Sequence, residues 1–305
     1  MEFALQVSGL YEDVLAAARF AEARGLAAIS LPDHYLMAQD DQAAATTPAP
    51  DALVQLAGLA RDTRHIELVV LVAPITYRHP AVLAKTAITI DRMSGGRFTL
   101  GIGTGWLERE HQVFGFDFPE MTERFEMLEE ALAYVRAVLA DEPSGFEGER
   151  YQLERLAIAP RPVGTVKLLV GGGGRRKTPR LAGAYADEFN VYLGPDLEGR
   201  ITLAREAAVA AGRDPDRILM SSAGQVISAR DAGDLGDKID ALAARRGLDR
   251  DQIRAMADRG HALIGTHDQL ADRFAEIAAA GIERFYLQGG FDPENTAGLL
   301  DSVGS

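Results

Sequence analysis

Short apolar runs alternate with amphipathic stretches along the whole chain. Phe3 to Val7, Ala27 to Leu31, Ile66 to Ala73, Arg97 to Ile102, Lys167 to Val170, Glu188 to Leu193, Ile218 to Ile227 and Arg284 to Leu287 read as strands. Ile66 to Ala73 is almost wholly β-branched or apolar, as in a strand buried on both faces. Between these runs the apolar positions recur at helical spacing. One helix opens at Glu12 and Asp13, whose charges suit the positive end of the helix dipole, and Gly25 closes it. Others span Asp51 to Arg61, Ala81 to Met93, Met121 to Leu139, a stretch ending at Ala186, and Leu197 to Ala211. Thr266 and Gln269 form a capping box for the last strong helix, which ends at Gly281.

The segments FAEARGLAAISL and FAEIAAAGIERFYL repeat one helix–Gly–strand unit. Strand then helix, about eight times over, implies parallel strands with right-handed crossovers. In 305 residues that pattern predicts an α/β fold, a closed (β/α)8 TIM barrel, as a single domain over residues 1–305. Two segments stand outside it as insertions. Residues 141–165 are Pro- and Gly-rich with a hairpin around Phe146 to Tyr151, and residues 231–260 read as two polar helices. Leu36 to Pro50 is Ala-rich, polar and bounded by proline, and reads as a mobile loop. The competing arrangement is an open doubly wound sheet, but no Rossmann fingerprint follows the first strand.

Composition narrows the function. Apolar residues make up 47% of the chain and charged residues 25%, ordinary for a globular protein with a real core. A net charge of −13 argues against nucleic acid and acidic membrane surfaces as partners. Without cysteine there is no disulfide, thiolate nucleophile or Cys-ligated metal. No apolar run reaches membrane-spanning length, and MEFALQV enters a strand with no basic region before it. The cytoplasm is the expected location.

The chain is organised around Ile90 to Gly115. A helix ends in Ser94-Gly95-Gly96, a strand follows, and it runs into Gly103-Thr104-Gly105-Trp106 with Glu108 and Glu110 beyond. Glycine at a strand end lets a flat ligand approach the backbone; the other reading is a tight turn with a packed Trp. The run Gly171 to Thr178, GGGGRRKT, feeds a helix N-terminus and carries three cations, which favours phosphate. It lacks the P-loop ending, and its other reading is a solvated basic turn. His34, after Asp33 at a strand end, suits proton exchange near neutral pH; it could also be a packed loop residue. Glu108 and Glu110 are acid/base candidates, or a solvated first helical turn. His79 reads as a helix cap, and His65, His111, His261 and His267 carry no assignment. No metal motif and no nucleophile elbow appears.

LPDHY, ITYRHPAVLAKTAITIDRMSGGRFTLGIGTGWLEREHQVFG, RYQLERLAIAPRPV and LLVGGGG together resemble the luciferase-like flavin and deazaflavin oxidoreductases, in that family's order and over nearly the whole chain. The resemblance implies a TIM barrel, commonly homodimeric, with the cofactor phosphate on Gly173, Gly174, Arg175, Arg176, Lys177 and Thr178. It implies Asp33 and His34 near the ring, and a backing to the ring from Val70, Leu71 and Ala73, where the family can carry a non-proline cis peptide. Thr104, Gly105 and Arg109 match further cofactor contacts. Arg109 stands where several deazaflavin enzymes have Asn, and Trp106 where some have a catalytic Glu. His34, with Glu110 second, is then the catalytic proton-handling candidate.

The activity this implies is hydride transfer between coenzyme F420 and a small organic substrate. Three cations suit the polyglutamate tail of that cofactor. An FMN-dependent monooxygenase fed by a partner reductase is the alternative, and a non-catalytic flavin-binding protein the third. Residues 141–163 and 36–50 are the candidate lids.

Overall fold

The structure, a computed structural model, describes residues 1–37, 41–258 and 262–304. His261 and part of each segment 36–50 and 231–260 lie outside the described residues. The elements in order are β1 (Glu2–Gln6), α1 (Tyr11–Ala23), β2 (Ala28–Leu31), α2 (Asp41–Thr46), α3 (Ala52–Asp62), β3 (Glu67–Pro74), α4 (Pro80–Ser94), β4 (Phe98–Gly103), α5 (Glu108–Phe114), α6 (Met121–Leu139), β5 (Phe146–Glu147) and β6 (Gln152–Leu153). They continue with β7 (Lys167–Gly172), α7 (Lys177–Tyr185), β8 (Glu188–Val191), α8 (Leu197–Ala210), β9 (Leu219–Ala229), α9 (Ala232–Arg246), α10 (Arg250–Asp258), β10 (Ala262–Thr266), α11 (His267–Ala279), β11 (Arg284–Gln288) and α12 (Pro293–Ser302).

Strands β1, β2, β3, β4, β7, β8, β9 and β11 pair in parallel, and β8–β9 and β11–β1 close the circle into a (β/α)8 barrel. β5 and β6 make the antiparallel hairpin expected in the insertion. Several elements depart from the sequence reading. The segment 36–50 contains the short helix α2. The carboxyl half of β9 outruns the barrel and pairs with β10, an extra parallel strand. Helices α9 and α10 are not purely polar: Ile239, Leu242 and Ile253 bury against Ile227 of β9 as a satellite core.

Outward-facing residues of the strands, such as Phe3, Ile29, Leu68, Leu100 and Phe285, bury against the helices as the main core. The barrel interior is different. Near the amino ends, Arg284 donates to Glu2 (2.8 Å), Glu67 (3.0 Å) and Glu188 (3.3 Å), and the Tyr286 hydroxyl donates to Glu188 at 2.9 Å. Arg97, from the SGGR motif, is also structural there. Its guanidinium donates to the carbonyls of Ala60, Thr63, Ile66 and Ser94.

Near the carboxyl ends the interior is shaped by β3. The peptide Leu71–Val72 is cis, and the β3–β4 register shifts between Val70 and Ala73. Leu71 O accepts from Gln6 Nε2 at 2.7 Å. The Val72 side chain enters the barrel, where Gly101, Gly103 and Gly171 leave it room. A Cβ on Gly103 would come within 2.7 Å of Val72 Cγ2, and one on Gly101 within 2.1 Å of Val70 O. Gly101→Ala is therefore expected to cost about 1–3 kcal/mol, the usual range for overpacking. Gly236→Ala, where a Cβ meets nothing within 4 Å on α9, should be neutral or stabilising. Urea midpoints for the two variants check this; equal midpoints would contradict it.

Candidate active site

Three segments at the carboxyl face converge: the loop after β2 (Asp33 to Leu36), the loop after β3 (Thr76 to His79), and α5 with the turn before it. Glu110 joins them. It is 1% exposed, and its Oε1 accepts from the backbone amides of Tyr35 and Leu36, each at 2.8 Å. Its Oε2 accepts the Tyr77 hydroxyl. Nδ1 of His34 lies 3.0 Å from both oxygens. Burial alone would raise the Glu110 carboxyl, but the hydrogen bonds from His34, Tyr77 and the backbone outweigh it and hold it below its ordinary range. An ionised carboxylate only accepts, so Nδ1 of His34 carries its hydrogen toward Glu110. Nε2 is then the ring nitrogen left to exchange a proton. The Glu110 oxygens are thus committed to holding the loop and His34, which makes this residue a support for the imidazole.

Asp33 sits one residue away but faces elsewhere. It is 1% exposed and paired through both oxygens with Arg78. Arg78 also donates to Tyr35 Oη and to Asp51 Oδ2, each at 2.6 Å. Asp51 in turn caps α3 by accepting from Val54 N at 3.0 Å. Burial opposes the charge on Arg78, yet Asp33, and with it Tyr35 and Asp51, carries the guanidinium above its ordinary value. Burial also pushes the Tyr35 phenol up to about 12 and the Tyr77 phenol higher still, so both donate as phenols. Tyr35 and Tyr77 stack at 4.9 Å with their planes 13° apart.

His111, unassigned from sequence, is locked in place: Nδ1 lies 2.9 Å from Leu107 O and Nε2 2.7 Å from Thr76 Oγ1. His79 caps α4, accepting from Ala81 N at 3.1 Å, as its position before Pro80 suggested. Trp106 stands beside His34, edge to face at 5.6 Å, and is 62% exposed. The turn that carries it is held by Arg124, which donates to Gly105 O at 2.6 Å and lies over the Phe118 ring at 3.8 Å. Gly105 has φ +75°, and a Cβ there would meet Pro74 and Thr76 at 3.3 Å.

The other expected contacts are placed as follows. Val70 and Ala73 pack outward into the main core, whereas Leu71 faces the barrel interior. Thr104 and Arg109 are half-buried near the mouth. At the end of β7, Gly172 has φ +149°, Gly173, Arg175, Arg176 and Lys177 are exposed, and Thr178 is buried below Gly174. α7 starts with no side-chain cap on its first amides. Among the described residues, none of the three cations forms an ion pair with a carboxylate; Lys177 lies 5.3 Å over the Phe125 ring. Free amides, a helix dipole and unpaired cations together fit an anion such as a phosphate.

Arg78, Tyr35, Asp51 and Arg124 were not singled out from sequence. The pairings that bring them to the site are distant in sequence, 16 residues for Tyr35 with Asp51 and 45 for Arg78 with Asp33. A separate cavity of about 710 Å³ lies where the loop after β8 meets β10 and α11; its lining, including Leu193, Leu263 and Ile277, contains none of these side chains. Among the described residues no cluster of three or more His, Asp or Glu is placed to hold a metal ion, and no helix is long and apolar enough to cross a membrane.

A family model described as luciferase-like monooxygenase matches residues 4–284. An F420-dependent glucose-6-phosphate dehydrogenase from Kineococcus radiotolerans is 34% identical over 203 residues, 65% of this chain and 58% of that protein. The pyrimidine monooxygenase RutA of Allorhizobium ampelinum is 32% identical over 178 residues, 56% of this chain and 48% of that one. The chain thus spans less than two thirds of the length of these curated relatives. The solved structure of the coenzyme F420 dependent tetrahydromethanopterin reductase from Methanopyrus kandleri superposes with a TM-score of 0.77 at 20% identity, covering 98% of this chain and 96% of that one.

Proposed function

The chain belongs to the luciferase-like monooxygenase family, and from that premise we propose that it is an oxidoreductase passing a hydride between coenzyme F420 and a small organic substrate at the carboxyl face of the barrel. The observation that carries the reading is His34, fixed by Glu110 through Nδ1 with Nε2 left for proton exchange. When bound, a deazaflavin ring supplies or accepts the hydride. If an alcohol is oxidised, its hydroxyl proton leaves to His34 Nε2; if a carbonyl is reduced, His34 gives that proton back. The chain's own work is to hold the two partners together and to keep water out.

Gly173, Gly174, Arg175, Arg176, Lys177 and Thr178 would hold the cofactor phosphate, and the unpaired cations favour a tail with more negative charge than FMN. Leu71, Thr104, Gly105 and Arg109 would line the ring side. The charged groups beside His34 are engaged with one another, and Trp106 is the exposed wall, so the substrate body is expected to be apolar. A homodimer in the cytoplasm goes with this reading. The second reading, an FMN-dependent monooxygenase with a partner reductase, is favoured by the identity to the pyrimidine monooxygenase. A flavin-binding protein without turnover is the third, and it gives His34 and Glu110 no task.

The test is titration of the protein with F420 and with FMN, following the fluorescence of Trp106, the only tryptophan. Saturable quenching by F420 with FMN weaker supports the proposal; tight binding of FMN alone moves the assignment to the monooxygenase. The variant Arg175→Gln/Arg176→Gln/Lys177→Gln should weaken F420 binding about three- to hundredfold, as expected for three partly solvated charges. The loss should shrink as salt is raised. Unchanged affinity would remove the phosphate from this loop.

A further inference from the structure

We propose that Tyr77 is a positioning residue that sets how strongly Glu110 draws on the His34 imidazole, and so where on the pH scale the proton step operates. The inference rests on His34 being the proton-handling group. Four donors converge on Glu110: two backbone amides on Oε1, the Tyr77 hydroxyl on Oε2, and His34 Nδ1 bridging both oxygens. The amides cannot be altered by a side-chain change, and His34 is the group being tuned. Tyr77 is the remaining donor, and it shares Oε2 with His34. In a buried setting each donor to a carboxylate draws charge density from the others, because water does not replace it. Removing the phenol hydroxyl leaves Oε2 to His34 and strengthens the bond to the protonated ring.

The geometry separates this effect from loss of structure. The Tyr77 ring is held by its faces and edges, 4.9 Å from Tyr35, 5.1 Å from Phe116 and 5.1 Å from His111. A phenylalanine keeps those contacts and loses only the hydroxyl. The other titratable and charged groups around His34 and Glu110 are Asp33 and Tyr35 on the loop after β2, Arg78 on the loop after β3, Asp51 at the start of α3, and His111 on α5. Asp33, Tyr35, Arg78 and Asp51 are bonded among themselves, and His111 is bonded to Leu107 and Thr76. None of these five side chains donates to Oε2 of Glu110.

The experiment follows the ring protons of His34 by NMR across pH in the wild type, Tyr77→Phe and Glu110→Gln, with the pH dependence of turnover measured beside it. Tyr77→Phe is expected to raise the His34 titration midpoint by about 0.5–1 pH unit, the size expected of one hydrogen bond to a charged group. Glu110→Gln, which removes the charge, should lower it. The corresponding limb of the turnover profile should move with the midpoint. A purely structural role for Tyr77 would reduce turnover equally at every pH and leave the midpoint in place, which overturns the proposal. If the midpoint moves and the turnover profile does not, the coupling through Glu110 stands, and it is His34 as the proton-handling group that falls.

Discussion

His34→Ala is expected to lower turnover by about 10²–10⁴-fold, the usual contribution of a positioned general acid or base, while leaving binding at the Gly173–Thr178 loop in place. The separation follows from where the two sites lie. His34 follows β2, whereas the anion loop follows β7. The loop around His34 should survive the change, because Glu110 keeps its bonds to the amides of Tyr35 and Leu36 and to Tyr77. Trp106 titration gives the affinity and steady-state assays the turnover. Equal losses in affinity and turnover would show that His34 holds ligand. Retained turnover would pass the proton role to another group.

Arg284→Met is expected to cost about 3–5 kcal/mol at neutral pH, the price of removing one partner of a buried ion pair. Arg284 is 5% exposed and Glu188 1%. Methionine has similar length but leaves Glu188 with no cation, facing a Glu67 that keeps only Lys167 at 3.1 Å. Burial already holds the Glu188 carboxyl above its ordinary value despite Arg284, and loss of the cation raises it further. Glu67, now held below its ordinary value by Arg284, Thr99 and Lys167 against the effect of burial, rises too, though Lys167 stays beside it. The native variant therefore binds more protons than the native wild type. Stability falls with pH wherever the native state binds the more protons, so the deficit should be largest above neutrality. It should narrow as pH drops toward the ordinary glutamate range near ~4.3. Urea unfolding at pH 5 and pH 8 checks both the size and the sign. A deficit that is small, or the same at both values, would sink the argument.

The barrel was legible because its signals are local and repeated. A strand buried on both faces is a run of apolar residues, and a helix beside it shows a stripe. Met121–Leu139 and the Thr266 capping box emerge as expected for that reason. β10 was not legible: five residues, ALIGT, between polar stretches, gain their strand character only from the overhang of β9. α5 was legible only at its start, where Glu108 and Glu110 read as a first helical turn; its seven residues are too few to show a stripe. At the site, Asp33 and His34 were visible as a pair at a strand end, but their different fates were not. One is tied to Arg78 across 45 residues and the other to Glu110 across 76. Adjacent positions can point to different networks, and a sequence shows adjacency alone.

Val72 and the three glycines around it have an evolutionary consequence. Positions 72, 101, 103 and 171 share one volume, so they are not free to drift separately. A larger residue at 103 becomes tolerable only after 72 has shrunk, and the order of the two steps matters. The same interdependence offers a route to redesign. Trimming Val72 would open space inside the mouth while every charged group around His34 keeps its partner, so the shape of the chamber could be changed without touching its acid–base machinery.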